Sequence, residues 1–110
     1  VLQPALDDDE RARVDAHPRV HRLDGRLNDF ADTAALIERL DGVVTIDTAV
    51  AHLTGALGKP LWVMLPFAAD WRWFTGDDCP WYAHARIARQ PAPGAWPDVA
   101  AAVADMLREA

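Results

Sequence analysis

Asp47, Thr48 and His52 lie close together between two apolar runs, Val43-Val44-Thr45-Ile46 and Leu61-Trp62-Val63-Met64-Leu65, with Lys59 just before the second run. A carboxylate, a hydroxyl, an imidazole and an ammonium group in one stretch suit anion binding, phosphate above all. The turn from Asp47 through Ala49 is where a strand should end and a helix begin, so a Thr hydroxyl and the unpaired N–H groups of a first helical turn project from one place. Helix N-termini attract anions because those N–H groups lack partners and the helix dipole is positive there. Two plainer roles compete at the same residues. Thr48 can serve as a helix cap alone, and His52 can hydrogen bond a neighbouring loop or Asp47.

Other candidates are spread along the chain. Asp29 and Asp32 follow a short strand pattern, Val20 to Leu23, and either cap the next helix or touch a ligand's ribose or base. Arg72 stands between Trp71 and Trp73 in an aromatic segment from Pro66 to Tyr82, where it can take an anion or simply stack and pair with Asp70. That segment reads as a long loop on the ligand edge, its Trp cluster either a plug over the sheet or a stacking platform. The run Asp7-Asp8-Asp9-Glu10 is the solvated first turn of a helix over about residues 7 to 16, with metal binding a poor second reading. No metal-ligand spacing occurs in the chain, and no metal or cofactor is expected.

The elements that must hold these residues follow from periodicity. Strands are expected near residues 1 to 3, 20 to 23, 42 to 46, 60 to 65 and 85 to 89, separated by helical patterns. Between the central strands, Val50, Leu53 and Leu57 define an apolar helix face, while Thr48, His52, Gly55 and Lys59 fall on another side. Asp32 is available to cap the helix carrying Phe30, Ala34, Ile37 and Leu40, and Asp24-Gly25 signals a turn before it. A last helix begins near Trp96, with Pro97 in its first turn, and should bury Val99, Val103, Met106 and Leu107. Strands alternating with helices give an α/β fold, a Rossmann-like parallel sheet with helices on both faces.

With 110 residues the chain is one domain or part of one, and its formal charge of −6 with dispersed basic residues argues against nucleic-acid binding. Cys79 is the only cysteine, which excludes an intrachain disulfide. No apolar run approaches the roughly 20 residues of a membrane helix, so a soluble, cytoplasmic protein is expected. The opening Val1-Leu2-Gln3 looks like the tail of a strand already under way, hence a piece of a longer protein. An open sheet edge there would invite self-association.

At Asp47-Thr48-x-x-x-His52-Leu53-x-x-x-x-Gly58-Lys59-Pro60 the chain resembles the C-terminal donor-binding domain of heptosyltransferase-like, family 9 type, GT-B glycosyltransferases. Asp70-Trp71-Arg72-Trp73 and Pro80-Trp81-Tyr82 look closer still to the version at the end of bacterial tetratricopeptide-repeat proteins. The resemblance covers most of the chain from Leu27 to Gln90 and implies that residues 1 to 110 are the C-terminal part of a nucleotide-sugar-binding domain. It implies a nucleotide-sugar donor whose diphosphate is held by Asp47, Thr48, Ala49 and His52. Gln3, Asp29, Lys59 and Arg72 are candidate nucleoside or sugar contacts. Where heptosyltransferases commonly have Gly after the Asp-Thr pair, this chain has Ala49, which narrows backbone approach to the phosphate.

The same resemblance places the general base and most acceptor contacts in a missing N-terminal half, so no catalytic residue is assigned here and the chain alone is expected to transfer no sugar. The parent protein is then an inverting glycosyltransferase. The alternative is a degenerate, non-catalytic module of the same fold, a scaffold attached to the repeats.

Overall fold

The computed structural model describes residues 1–2, 6–23, 26–68 and 81–109. The chain separates into two compact units, Val1–Leu36 and Ile37–Ala110. Gln3, Arg72, the Asp24-Gly25 turn, Cys79 and the Trp71 and Trp73 pair lie outside the described residues.

The first unit holds α1 (Asp8–Asp15) and most of α2 (Phe30–Ile37). Helix α1 starts as its acidic run dictates. Asp7 caps it by accepting from the Glu10 amide at 2.8 Å, while the Glu10 carboxylate accepts from the Asp7 amide at 3.0 Å, a reciprocal capping box. The three acidic residues of its first turn and Arg13 in its last complement the helix dipole. At α2 the structure chooses between the two candidate caps. Asp29, not Asp32, takes the role, accepting from the Asp32 amide at 2.8 Å, and Asp32 in turn accepts from the Asn28 amide at 3.3 Å. Both residues suit a cap; Asp29 lies just outside the first turn, where a side chain meets the unpaired N–H groups. Phe30, expected on the buried face, is largely exposed, whereas Thr33 is buried and donates its hydroxyl to the Asp29 carbonyl.

Two expected strands are corrected here. Residues 20 to 23 are irregular, as are Val1 and Leu2. A strand exists through its partner, and among the described residues the bond between residues 1–2 and 20–23 runs from the Val1 nitrogen to the His21 carbonyl at 2.8 Å, while Val20 and Leu23 bond locally to His17 and Arg26. Val20 is 40% exposed, so no buried face fixes an extended run there.

The second unit is built on a parallel sheet of β1 (Val43–Ile46), β2 (Leu61–Leu65) and β3 (Ala85–Arg89), in that spatial order. Its register places Val43 beside Leu61 and Leu61 beside Ala85. Helix α3 (Ala49–Ala56) joins β1 to β2, and α4 (Trp96–Glu109) follows β3. Strand β1 is four β-branched residues, stiff side chains that favour a pleated backbone. Strand β2 is buried at four of its five positions, the pattern of a central parallel strand covered on both faces.

On one face, Trp62 and Ala88 pack with Val99 and Val103 of α4, flanked by Met64, Ala102 and Met106. On the other, Leu61, Val63, Leu65 and Ile87 are almost wholly buried, and α3 packs against β1 and β2. The fold is thus an α/β, Rossmann-like parallel sheet with helices on both faces. Within α3 the fully buried residues are Ala51 and Thr54, with Val50, Leu53 and Leu57 only half-buried beside them. Thr54 tolerates burial because its hydroxyl donates to the Val50 carbonyl at 2.7 Å. Leu107, expected in the core, is 44% exposed. The last turn of α4 meets β3 through its polar side, where Glu109 lies 3.5 Å from Arg86.

Candidate functional site

Because the strands are parallel, all three end at one edge, and β1 hands the chain directly to α3 there. Asp47 and Ala49 are exposed at this junction and Thr48 is half-buried. Thr48 has the extended backbone of an N-cap, φ −141° and ψ 173°, yet its side chain makes no capping hydrogen bond. Its hydroxyl turns back instead, 3.4 Å from the Ile46 carbonyl and 3.3 Å from the Thr45 hydroxyl. The Thr48 carbonyl accepts from the amides of Ala51 and His52 at 3.0 and 3.4 Å. The earlier amides of the turn, those of Ala49 and Val50, precede the first intrahelical bonds and receive no cap from Thr48.

Among the described residues, His52, one turn into α3, is held from two sides. Its Nε2 lies 3.4 Å from an Asp47 carboxylate oxygen, and its Nδ1 lies 3.0 Å from the Tyr82 hydroxyl, the two rings meeting edge-on with centroids 6.0 Å apart. The Asp47 and His52 side chains retain about a third of their exposure, 33% and 39%. Tyr82 comes from the segment leading into β3 and lies over Gly55. A Cβ built on Gly55 would fall 2.4 to 2.6 Å from three atoms of the Tyr82 ring, so the helix must have glycine there for the ring to approach.

At the same edge, Gln90 follows β3 and is buried. Its amide donates to the Leu65 carbonyl at 2.9 Å, and its side-chain Oε1 accepts from the Phe67 amide at 2.9 Å. That bond fixes how the chain leaves β2 beside the candidate site.

The structure therefore brings together Asp47, Thr48, Ala49 and His52. Lys59 stands at the other end of α3, just before β2. An eight-residue helix is about 12 Å long, so the Thr48 turn and Lys59 do not meet. Asp29 is engaged as the α2 cap in the other unit. Gln3 and Arg72 lie outside the described residues.

Sequence reasoning missed two contributors, Tyr82 and Gln90. Tyr82 lies 30 positions from His52, a distance at which no spacing rule applies. Gln90 read only as the end of a strand. Gly55 did carry a signal, since a glycine inside a helix costs about 1 kcal/mol relative to Ala and usually marks a close approach.

Comparison with known proteins follows the same stretch. The family model described as glycosyltransferase family 9 (heptosyltransferase) matches residues 3–94. Protein FlbA of Caulobacter vibrioides is 33% identical over 81 residues, covering 74% of this chain. The chain spans only 13% of the length of that relative. No solved structure matches.

Proposed function

This chain belongs to glycosyltransferase family 9, the heptosyltransferase family, and from that premise we propose that it forms the donor side of a glycosyltransferase, binding the diphosphate of a nucleotide sugar at the start of α3. The observation that carries this reading is the uncapped turn. Thr48 occupies the cap position without using its hydroxyl as a cap, which leaves the Ala49 and Val50 amides and the positive end of the helix dipole for an anion. Transfer breaks the bond between the sugar's anomeric carbon and a diphosphate oxygen, and the electron pair stays on the diphosphate. Amides already aimed at that charge lower the barrier without reorganising. His52 supplies a further N–H beside them, and Thr48 a hydroxyl after rotation about its χ1.

The remaining assignments belong to the same proposal. Arg72 contacts the sugar or phosphate, and Lys59 takes no part in the anion cluster. The general base lies in another part of the parent protein, so this chain alone does not transfer sugar. The parent joins this domain to tetratricopeptide repeats and works in the cytoplasm; no described helix is long and apolar enough to cross a membrane.

One observation favours the rival reading of a non-catalytic scaffold. Both ring nitrogens of His52 are already engaged within the fold. Titration calorimetry with a panel of nucleoside diphosphates separates the two readings: saturable binding that weakens in Thr48→Ala supports the donor site, and absence of binding across the panel supports the scaffold.

A further inference from the structure

We propose that Tyr82 is the positioning residue of His52, holding its Nδ1 so that the Nε2–H stays aimed at the Asp47–Thr48 turn for a phosphate oxygen to take. The inference rests on the donor-site reading above for its functional consequence, though not for its geometry.

Among the described residues, Asp47 and Tyr82 face the two ring nitrogens, and their chemistry sets the proton. An ionised carboxylate only accepts, so the imidazole nitrogen facing Asp47 carries hydrogen, and in the neutral ring the other nitrogen is then an acceptor. Tyr82 is left as the donor to Nδ1, at 3.0 Å. The two holds are unequal. The Asp47 contact is 3.4 Å between side chains that both keep solvent exposure, long for a hydrogen bond and open to exchange. The Tyr82 hold is shorter, and its ring is seated against the bare backbone of Gly55, where any Cβ would collide with it. When an anion arrives, Asp47 is therefore the partner that yields. Nε2–H passes from the carboxylate to a phosphate oxygen while Nδ1 keeps its tyrosine. No covalent bond changes. This resolves how His52 can be engaged in the fold and still serve a ligand, and it gives α3 a reason to carry Gly55.

Two variants test the idea. Tyr82→Phe keeps the ring and removes the hydroxyl; Gly55→Ala keeps the hydroxyl and displaces the ring. The first readout is the nitrogen-15 signature of the His52 side chain, which distinguishes the nitrogen bearing the proton. The protein should show Nε2–H, and both variants should mix tautomers or shift Nδ1 away from its hydrogen-bonded position. The second readout is the Kd of the nucleoside diphosphate that binds most tightly. Losing one hydrogen bond predicts a drop of about five- to tenfold in Tyr82→Phe. The same substitution in a His52→Ala background should cost nothing further, whereas a merely structural role would weaken or spare binding equally in both backgrounds.

An unchanged nitrogen-15 signature in Tyr82→Phe overturns the proposal, as does an equal loss in both backgrounds. If no nucleoside diphosphate binds the unsubstituted protein, the donor-site reading fails, while the nitrogen-15 signature still decides whether Tyr82 holds His52.

Discussion

Thr48→Ala separates a helix cap from a ligand contact, because the structure makes the two costs unequal. A Thr that caps through its side chain loses about 1 kcal/mol on truncation. Thr48 makes no such bond, and its hydroxyl contacts of 3.3 and 3.4 Å exceed the usual O–H···O range of about 2.5–3.0 Å. A net hydrogen bond of normal length contributes about 1 kcal/mol, so two stretched ones at a half-exposed position give a stability loss of about 0.5 kcal/mol. In a domain of this size that is roughly 2–4 °C in Tm. The cost to binding is larger if the hydroxyl meets a diphosphate. A charge-assisted bond is worth about 1.5–3 kcal/mol, or roughly 10- to 150-fold in Kd. Melting curves and calorimetry with the same nucleoside diphosphate measure both quantities on one preparation. A variant that melts some 8 °C lower while binding as tightly as the unsubstituted protein would refute the reasoning and make Thr48 a cap after all.

Other substitutions test the frame around the site. Gly58 ends α3 with φ +71° in a Schellman arrangement, its amide bonded to the Gly55 carbonyl and the Lys59 amide to that of Thr54. A Cβ there meets nothing within 4 Å, so Gly58→Ala should cost only the backbone strain, about 1–2 kcal/mol, read as a lower denaturation midpoint with unchanged slope. Gln90→Leu removes the acceptor of the Phe67 amide at a buried position; we expect a loss of about 1–3 kcal/mol and faster hydrogen exchange at Phe67. Val103→Ala, in the cluster with Trp62 and Ala88, should cost about 2 kcal/mol from lost apolar burial and the cavity left behind, measured by denaturant unfolding.

What the sequence disclosed follows from how local each signal is. The unit from β1 through α3 to β2 was legible because β-branched runs, helical spacing and a terminal Gly58 are all read within a few residues of one another. The helix at the acidic run was equally local, though its Asp7–Glu10 capping box was not read in advance. The expected strand at residues 20 to 23 failed on the opposite ground, since extended propensity becomes a strand only when a partner supplies the hydrogen bonds. At α2 two aspartates satisfied the same rule, and only the side-chain geometry chose Asp29. The candidate site shows the limit most clearly. Composition placed Thr48 and His52 at one turn, but which way each points depends on a rotamer and on a tyrosine remote in sequence. The Thr48 hydroxyl turned from the amides leaves donors for an anion; turned toward them, it would close the site with the same sequence and the same helix. The His52 ring is tied at Nδ1 to Tyr82, 3.0 Å away. The arrangement of this turn therefore depends on contacts that begin at Gly55, the one position in α3 where the sequence gives up helix stability for the approach of another segment.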